Sequence, residues 1–141
     1  DNDFISQFAL LHNLRTEVER INRARSSHNG SLEIELIAPV NTLPLEQESQ
    51  LMLFRVIQEA LQNILKHAGA DLIKIQFAVD DGVSVSICDN GKGFHINEVH
   101  SHGLGLTNMK NRIQLLQGRI SWHSLSPNGT KVLIELPIQK H

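Results

Sequence analysis

Apolar residues recur along the chain in two periods, and the switches between them lay out the fold. Phe4, Phe8, Leu11, Leu14, Val18 and Ile21 fall three or four apart, so Phe4 to about Arg25 is predicted as an amphipathic helix with Asp3 as its N-cap. Leu32, Ile34 and Leu36 then alternate with Glu33 and Glu35, a half-buried strand. After a loop from Pro39 to Pro44, Leu51, Phe54, Ile57, Leu61 and Ile64 or Leu65 mark a second helix from about Leu45 to His67, stopped by Gly69. The period returns to two in Leu72–Val79 and Val83–Asp89, joined by Asp80-Asp81-Gly82 as an antiparallel hairpin. A loop rich in Gly, Asn and His runs from Asp89 to His102. A third helix spans Gly105 to Gly118. Ile120, Trp122 and Ser124 begin a strand that Ser126-Pro127-Asn128-Gly129 turns into Lys131–Leu136.

The order α-β-α-β-β-loop-α-β-β predicts an α/β two-layer sandwich, a mixed five-stranded sheet with three helices on one face. Its adjacent hairpins do not fit a doubly wound sheet, whose parallel strands need crossover helices.

At 141 residues the chain is long enough for one domain with a real core, and residues 1–141 are read as a single domain. A net charge of -2, no Tyr and one Trp argue against a nucleic-acid partner, which needs a clustered basic face or stacking platforms. The single cysteine, Cys88, cannot form an internal disulfide and reads as a small buried strand residue. No run approaches the roughly 20 apolar residues of a membrane span. The start at Asp1 suggests a fragment of a longer chain.

Three places break the local pattern, as functional sites do. On the second helix Glu59, Asn63, Lys66 and His67 share one side at spacings of three and four. A solvated polar face is the plain alternative, but Asn is a poor mid-helix residue. A carboxylate and an amide oxygen one turn apart suit a hard cation such as Mg²⁺ beside nucleotide phosphates. Directly after an apolar strand, Asp89-Asn90-Gly91-Lys92-Gly93-Phe94 either caps a turn or lets a ligand approach the backbone, with Asp89 as acceptor for an exocyclic amine. At the start of the third helix, His102-Gly103-Leu104-Gly105-Leu106-Thr107-Asn108-Met109 is either an awkward glycine entrance or a backbone cradle for phosphate. It is neither a P-loop nor a dinucleotide-binding fingerprint.

In combination these motifs resemble the GHKL superfamily of ATP-binding domains (Bergerat fold), and within it the sensor histidine kinases of the nitrate-sensor-related class with a short ATP lid. The N-box is matched by Phe54 to Ala68, the first glycine box by Asp89 to Phe94, and the second by Gly103-Leu104-Gly105-Leu106 continuing through Asn108-Met109-Lys110-Asn111-Arg112; Gly129-Thr130 completes the set. The resemblance covers essentially the whole chain. It implies ATP and Mg²⁺ as ligands. Asn63 would coordinate the metal and Glu59 would orient or polarise groups near it. Lys66 and His67 would face the phosphates. Asp89 would bind the adenine amino group with support from Thr130, while Gly91 and Gly93 admit the base. Gly103, Leu104, Gly105 and Leu106 would hold the phosphates. The lid, His95 to His102, is short, which implies modest ATP affinity; its His95, His100 and His102 are read as solvated rather than as a zinc site.

The resemblance further implies an acceptor histidine on a separate dimerisation domain, absent from this chain, and a response regulator receiver domain as next partner. His12, followed by Asn13, is read as a surface residue of the ATP domain's own first helix. The isolated domain is expected to be a monomer, its parent a homodimer, and the location cytoplasmic, with an inner-membrane sensor among the parents it allows. An anti-sigma-factor serine kinase and a non-catalytic nucleotide-binding module are the alternatives.

Overall fold

The computed structural model describes residues 9–26, 32–67, 69–92 and 105–138. Among them are helices α1 (Leu10–Ser26), α2 (Gln47–His67) and α3 (Leu106–Leu115) and strands β1 (Glu33–Ile37), β2 (Leu72–Val79), β3 (Gly82–Asp89), β4 (Arg119–Ser124) and β5 (Thr130–Pro137). The sheet order is β1-β2-β3-β5-β4, with β1 parallel to β2 and every other pair antiparallel. The parallel pair is joined through α2, the long connection that parallel strands require.

Strand alternation puts one face of the sheet under the helices. Its rows run across all five strands: Leu36, Ile75, Ile87, Val132 and Trp122 lie side by side, and the next row towards the carboxyl end of β3 is Ile34, Ile73, Asp89, Thr130 and Ser124. The first row is apolar throughout. The second turns polar at its centre.

The helices bury Leu10, Leu11, Leu14, Val18 and Ile21 from α1, Leu53, Val56, Ile57, Ala60, Leu61 and Ile64 from α2, and Leu106, Met109 and Ile113 from α3. Leu51, expected in the stripe of α2, lies on its solvent side at 39% exposure; Leu53 and Val56 do its work. The error is one of phase, because the apolar run Leu51-Met52-Leu53-Phe54 in the second turn allows two nearly equivalent stripes. Cys88 is also not the buried residue expected. It sits half-buried on the open face of the sheet, between Lys74 and Lys131. Burial raises its thiol pKa, and the two lysines partly oppose that shift.

Two buried or half-buried amides fix how α1 meets the rest. Gln50 Oε1 accepts from the Leu10 amide, an orphan donor at the start of α1, at 3.1 Å, while its Nε2 donates to Leu45 O at 2.9 Å. Asn22 exchanges two hydrogen bonds with the Ile34 backbone, at 2.9 and 3.1 Å, and so blunts the edge of β1. The expected helical residues Phe4 and Phe8 lie outside the described residues.

Candidate functional site

Position 89 belongs to the core face, where alternation calls for an apolar side chain, and the chain places a carboxylate there. Asp89 is 4% exposed. Its Oδ1 accepts from the Gly91 amide at 2.8 Å, and its Oδ2 has no hydrogen-bond partner. Thr130, its neighbour across β5, is equally buried, and its hydroxyl is also unpartnered. An unmade hydrogen bond at a buried group costs about 1–3 kcal/mol, so two side by side mark a place built to receive something. Burial raises the Asp89 pKa, and the amides of Gly91 and Thr130 hold it back.

The neighbouring residues brace this acceptor. Asn90 Oδ1 accepts from the Asp71 and Leu72 amides, both at 3.0 Å, and its Nδ2 donates to the Asp71 carboxylate. It therefore ties the end of β3 to the start of β2. Gly129, at φ 112°, brings β5 so close that a Cβ would collide with the Asp89 carbonyl. Backbone cannot yield as a side chain does. Gly129→Ala is expected to destabilise the domain by about 2–3 kcal/mol, read as a lower urea midpoint at unchanged slope. In the sequence Gly129 is only a companion of Thr130, and Asn90 carries no signal beyond its place beside Asp89.

A second cluster forms where α2 meets α3. Glu59 and Asn63 stand one turn apart on α2, both half-buried, and Lys66 is exposed. His67 is the last residue of α2. Gly105 takes the left-handed conformation, φ 72°, that caps the start of α3, and its carbonyl accepts from Met109 at 3.0 Å. The Glu59 carboxylate packs directly on Gly105, in the space a Cβ would fill. Arg112, two turns along α3, reaches Glu59 with Nη1 at 3.5 Å from Oε2. That pair is substantially exposed and contributes roughly 0–1 kcal/mol of stability. Leu106 is buried as the first residue of α3. The first backbone N–H groups of α3 have no partners within the helix, as at the start of any α-helix.

The structure thus joins Asp89, Gly91 and Thr130 at one place and Glu59 and Gly105 at another, both on the helix-covered side of the sheet. Gly93, Gly103, Leu104 and the lid histidines His95, His100 and His102 lie outside the described residues, as does the side chain of His67. Among the described residues no group of three or more His, Cys, Asp or Glu side chains is placed to hold a metal ion. His12 is exposed on α1.

Residues 48–140 match the family model described as histidine kinase-, DNA gyrase B-, and HSP90-like ATPase. The chain belongs to that family. Among curated relatives it is 33% identical over 117 residues to the signal transduction histidine-protein kinase/phosphatase DegS of Bacillus subtilis, covering 79% of this chain and 30% of that protein. It is 35% identical over 89 residues to the sensor protein VraS of Staphylococcus aureus, covering 62% of this chain and 26% of that protein. The chain therefore spans about a quarter to a third of these relatives' length. Among solved structures, the histidine kinase domain of a blue-light-activated histidine kinase from Erythrobacter litoralis superposes with a TM-score of 0.76 at 20% identity, over 94% of this chain and 63% of that one. The catalytic domain of the histidine kinase ThkA gives 0.73 at 20% identity, over 91% and 89%. These likenesses establish the predicted sandwich as the family's fold.

Proposed function

We propose that this chain is the ATP-binding catalytic domain of a two-component sensor histidine kinase, which passes the γ-phosphoryl group of ATP to a histidine on a separate dimerisation domain of its parent, for relay to a response regulator receiver domain. The observation that carries the reading is the buried, unpartnered pair of Asp89 Oδ2 and Thr130 Oγ1 at the end of the core face. An ionised carboxylate there accepts a hydrogen bond from the exocyclic amino group of adenine, and the Thr130 hydroxyl supports the ring, directly or through water. The base is proposed to enter past Gly91, just beyond the end of β3, with Gly93 of the same glycine box also admitting it.

With the base so placed, the phosphates are proposed to lie toward the start of α3, held by backbone N–H groups of the second glycine box, to which Gly103, Leu104, Gly105 and Leu106 belong in the sequence. Asn63 offers an amide oxygen and Glu59 a carboxylate on the facing side of α2, a hard donor set that fits Mg²⁺ beside phosphates. Bound there, Mg²⁺ would neutralise charge on the β- and γ-phosphates. Lys66, exposed further along α2, and His67, its last residue, are proposed to meet them. Phosphoryl transfer asks a protein mainly for positioning and charge stabilisation, and these residues supply both. The named relatives are sensor and histidine-protein kinases, which favours a histidine acceptor over a serine. The domain is proposed to be cytoplasmic and monomeric in isolation; among the described residues no helix is long and apolar enough to cross a membrane.

The test is to incubate the parent protein with γ-labelled ATP and then with candidate receiver domains. Acid-labile, base-stable label that moves to a receiver supports the reading. Acid-stable label, the signature of phosphoserine, contradicts it.

A further inference from the structure

The sequence holds the dipeptide Asn-Gly three times, at Asn29-Gly30, Asn90-Gly91 and Asn128-Gly129. The first lies outside the described residues. In such a pair the glycine nitrogen can attack the asparagine side-chain carbonyl, because glycine has no Cβ to obstruct the approach. The five-membered ring that forms expels ammonia. A folded chain opposes the attack in two ways: hydrogen bonds hold the carboxamide, and a hydrogen bond occupies the glycine N–H.

The two described pairs differ in both respects. Each asparagine is exposed and each glycine buried, so exposure does not separate them. At the end of β3, Asn90 Oδ1 accepts from the Asp71 and Leu72 amides at 3.0 Å, and its Nδ2 donates to the Asp71 carboxylate. The Gly91 N–H donates to Asp89 Oδ1 at 2.8 Å. The turn between β4 and β5 is closed by the Leu125 N–H donating to Gly129 O at 3.0 Å. There, neither the Asn128 carboxamide nor the Gly129 N–H has a hydrogen-bond partner among the described residues.

We propose that Asn128-Gly129 is a site of spontaneous isoaspartate formation, a covalent ageing mark set against the nucleotide site. The Gly129 nitrogen bonds to Asn128 Cγ, the carboxamide C–N bond breaks, and the Gly129 proton leaves with the amino group as ammonia. Water then opens the ring. Opening at the Asn128 main-chain carbonyl routes the backbone through the side chain, which adds a methylene and a free carboxylate to the turn. The methylene enters directly before Gly129, which packs on the Asp89 carbonyl so closely that no Cβ fits. The next residue is Thr130, whose unpartnered hydroxyl stands beside Asp89. Lengthening the turn displaces that hydroxyl. The effect on nucleotide rests on adenine lying at Asp89 and Thr130 as proposed above; the modification itself does not.

The experiment incubates the folded chain in mildly alkaline buffer and maps deamidation by peptide mass spectrometry, with isoaspartate identified by an isoaspartate-specific methyltransferase. The fraction converted at Asn128 carries an added negative charge. It is separated by anion exchange and titrated with Mg-ATP by calorimetry. In the folded chain Asn128 is expected to convert at least about tenfold faster than Asn90, and in urea, where the Asn90 hydrogen bonds are gone, at a similar rate. The isoaspartyl fraction should bind ATP about tenfold more weakly than fresh chain. Asn128→Ser should keep its ATP affinity through the same incubation. Asn128→Asp, which brings the charge without the methylene, should bind ATP within about twofold of wild type. Equal rates at Asn90 and Asn128 in the folded chain overturn the proposal, as does an isoaspartyl fraction that binds ATP as fresh chain does. Asn128→Asp as weak as the aged fraction assigns the loss to charge and overturns the backbone account. A fresh chain that binds no ATP instead removes the ATP-site reading, while the mapped masses still decide the modification.

Discussion

Asp89→Asn is expected to make the free domain more stable and its ATP binding weaker. The two effects share one cause. In the wild type, burial raises the Asp89 pKa above its ordinary value of 3.8, because the fold disfavours the charged form while Oδ2 has no partner. A group whose pKa is higher folded than unfolded adds stability below the unfolded value. That contribution is lost as pH rises through the folded value. At pH 7 the carboxylate is therefore a cost in the empty domain. Asparagine keeps an oxygen for the Gly91 amide and brings no charge into the buried site. The variant should melt higher at pH 7 by the equivalent of about 1 kcal/mol, and the advantage should shrink toward pH 4. ATP affinity should fall by about 1.5–3 kcal/mol, the worth of a charge-assisted hydrogen bond to the adenine amino group. By the same linkage, wild-type ATP binding should weaken as pH falls through the raised Asp89 pKa. Thermal melts with and without nucleotide, together with calorimetry, read both arms. Wild-type affinity in Asp89→Asn would remove Asp89 from the adenine site.

Asn63→Ala should separate binding from chemistry. Asn63 stands one turn beyond Glu59 on α2 and offers the amide oxygen proposed for the metal. Base recognition is proposed at Asp89 and Thr130, on the sheet, so nucleotide binding should survive in weakened form. Transfer should fall by at least 1,000-fold, because charge stabilisation at the γ-phosphate is most of what such a site supplies. Full autokinase activity of the parent carrying Asn63→Ala would show the metal assignment to be wrong.

Much of this was legible in the sequence because the two periods are cleanly written. The strands from Leu72 to Asp89 follow strict alternation, and the structure keeps them within a residue of the predicted bounds. Asp89 stood out at the head of a Gly-x-Gly run directly after an apolar strand; that its carboxylate continues the alternation onto the core face is shown by the fold. What the pattern could not carry is contact between distant segments. The pairing of β5 between β3 and β4, the seating of Glu59 on Gly105 and the reach of Arg112 join residues far apart in the chain. Gln50 and Asn22 carry no signal in the sequence pattern, and only the folded chain shows that each satisfies backbone groups of another element. Leu51 misled because phase, unlike period, depends on what lies across the helix.

The central claim, that this domain transfers phosphoryl from ATP to a histidine elsewhere in its parent, is tested by incubating the purified chain with γ-labelled ATP, alone and with the parent's dimerisation domain added in trans. Separation forfeits an effective concentration of about a millimolar, so transfer in trans should be slow. His12, exposed on α1, is the competing acceptor within the chain. The account predicts no label on the chain and acid-labile label on the added domain, lost with Asn63→Ala. Label on the chain itself that disappears in His12→Gln would contradict it.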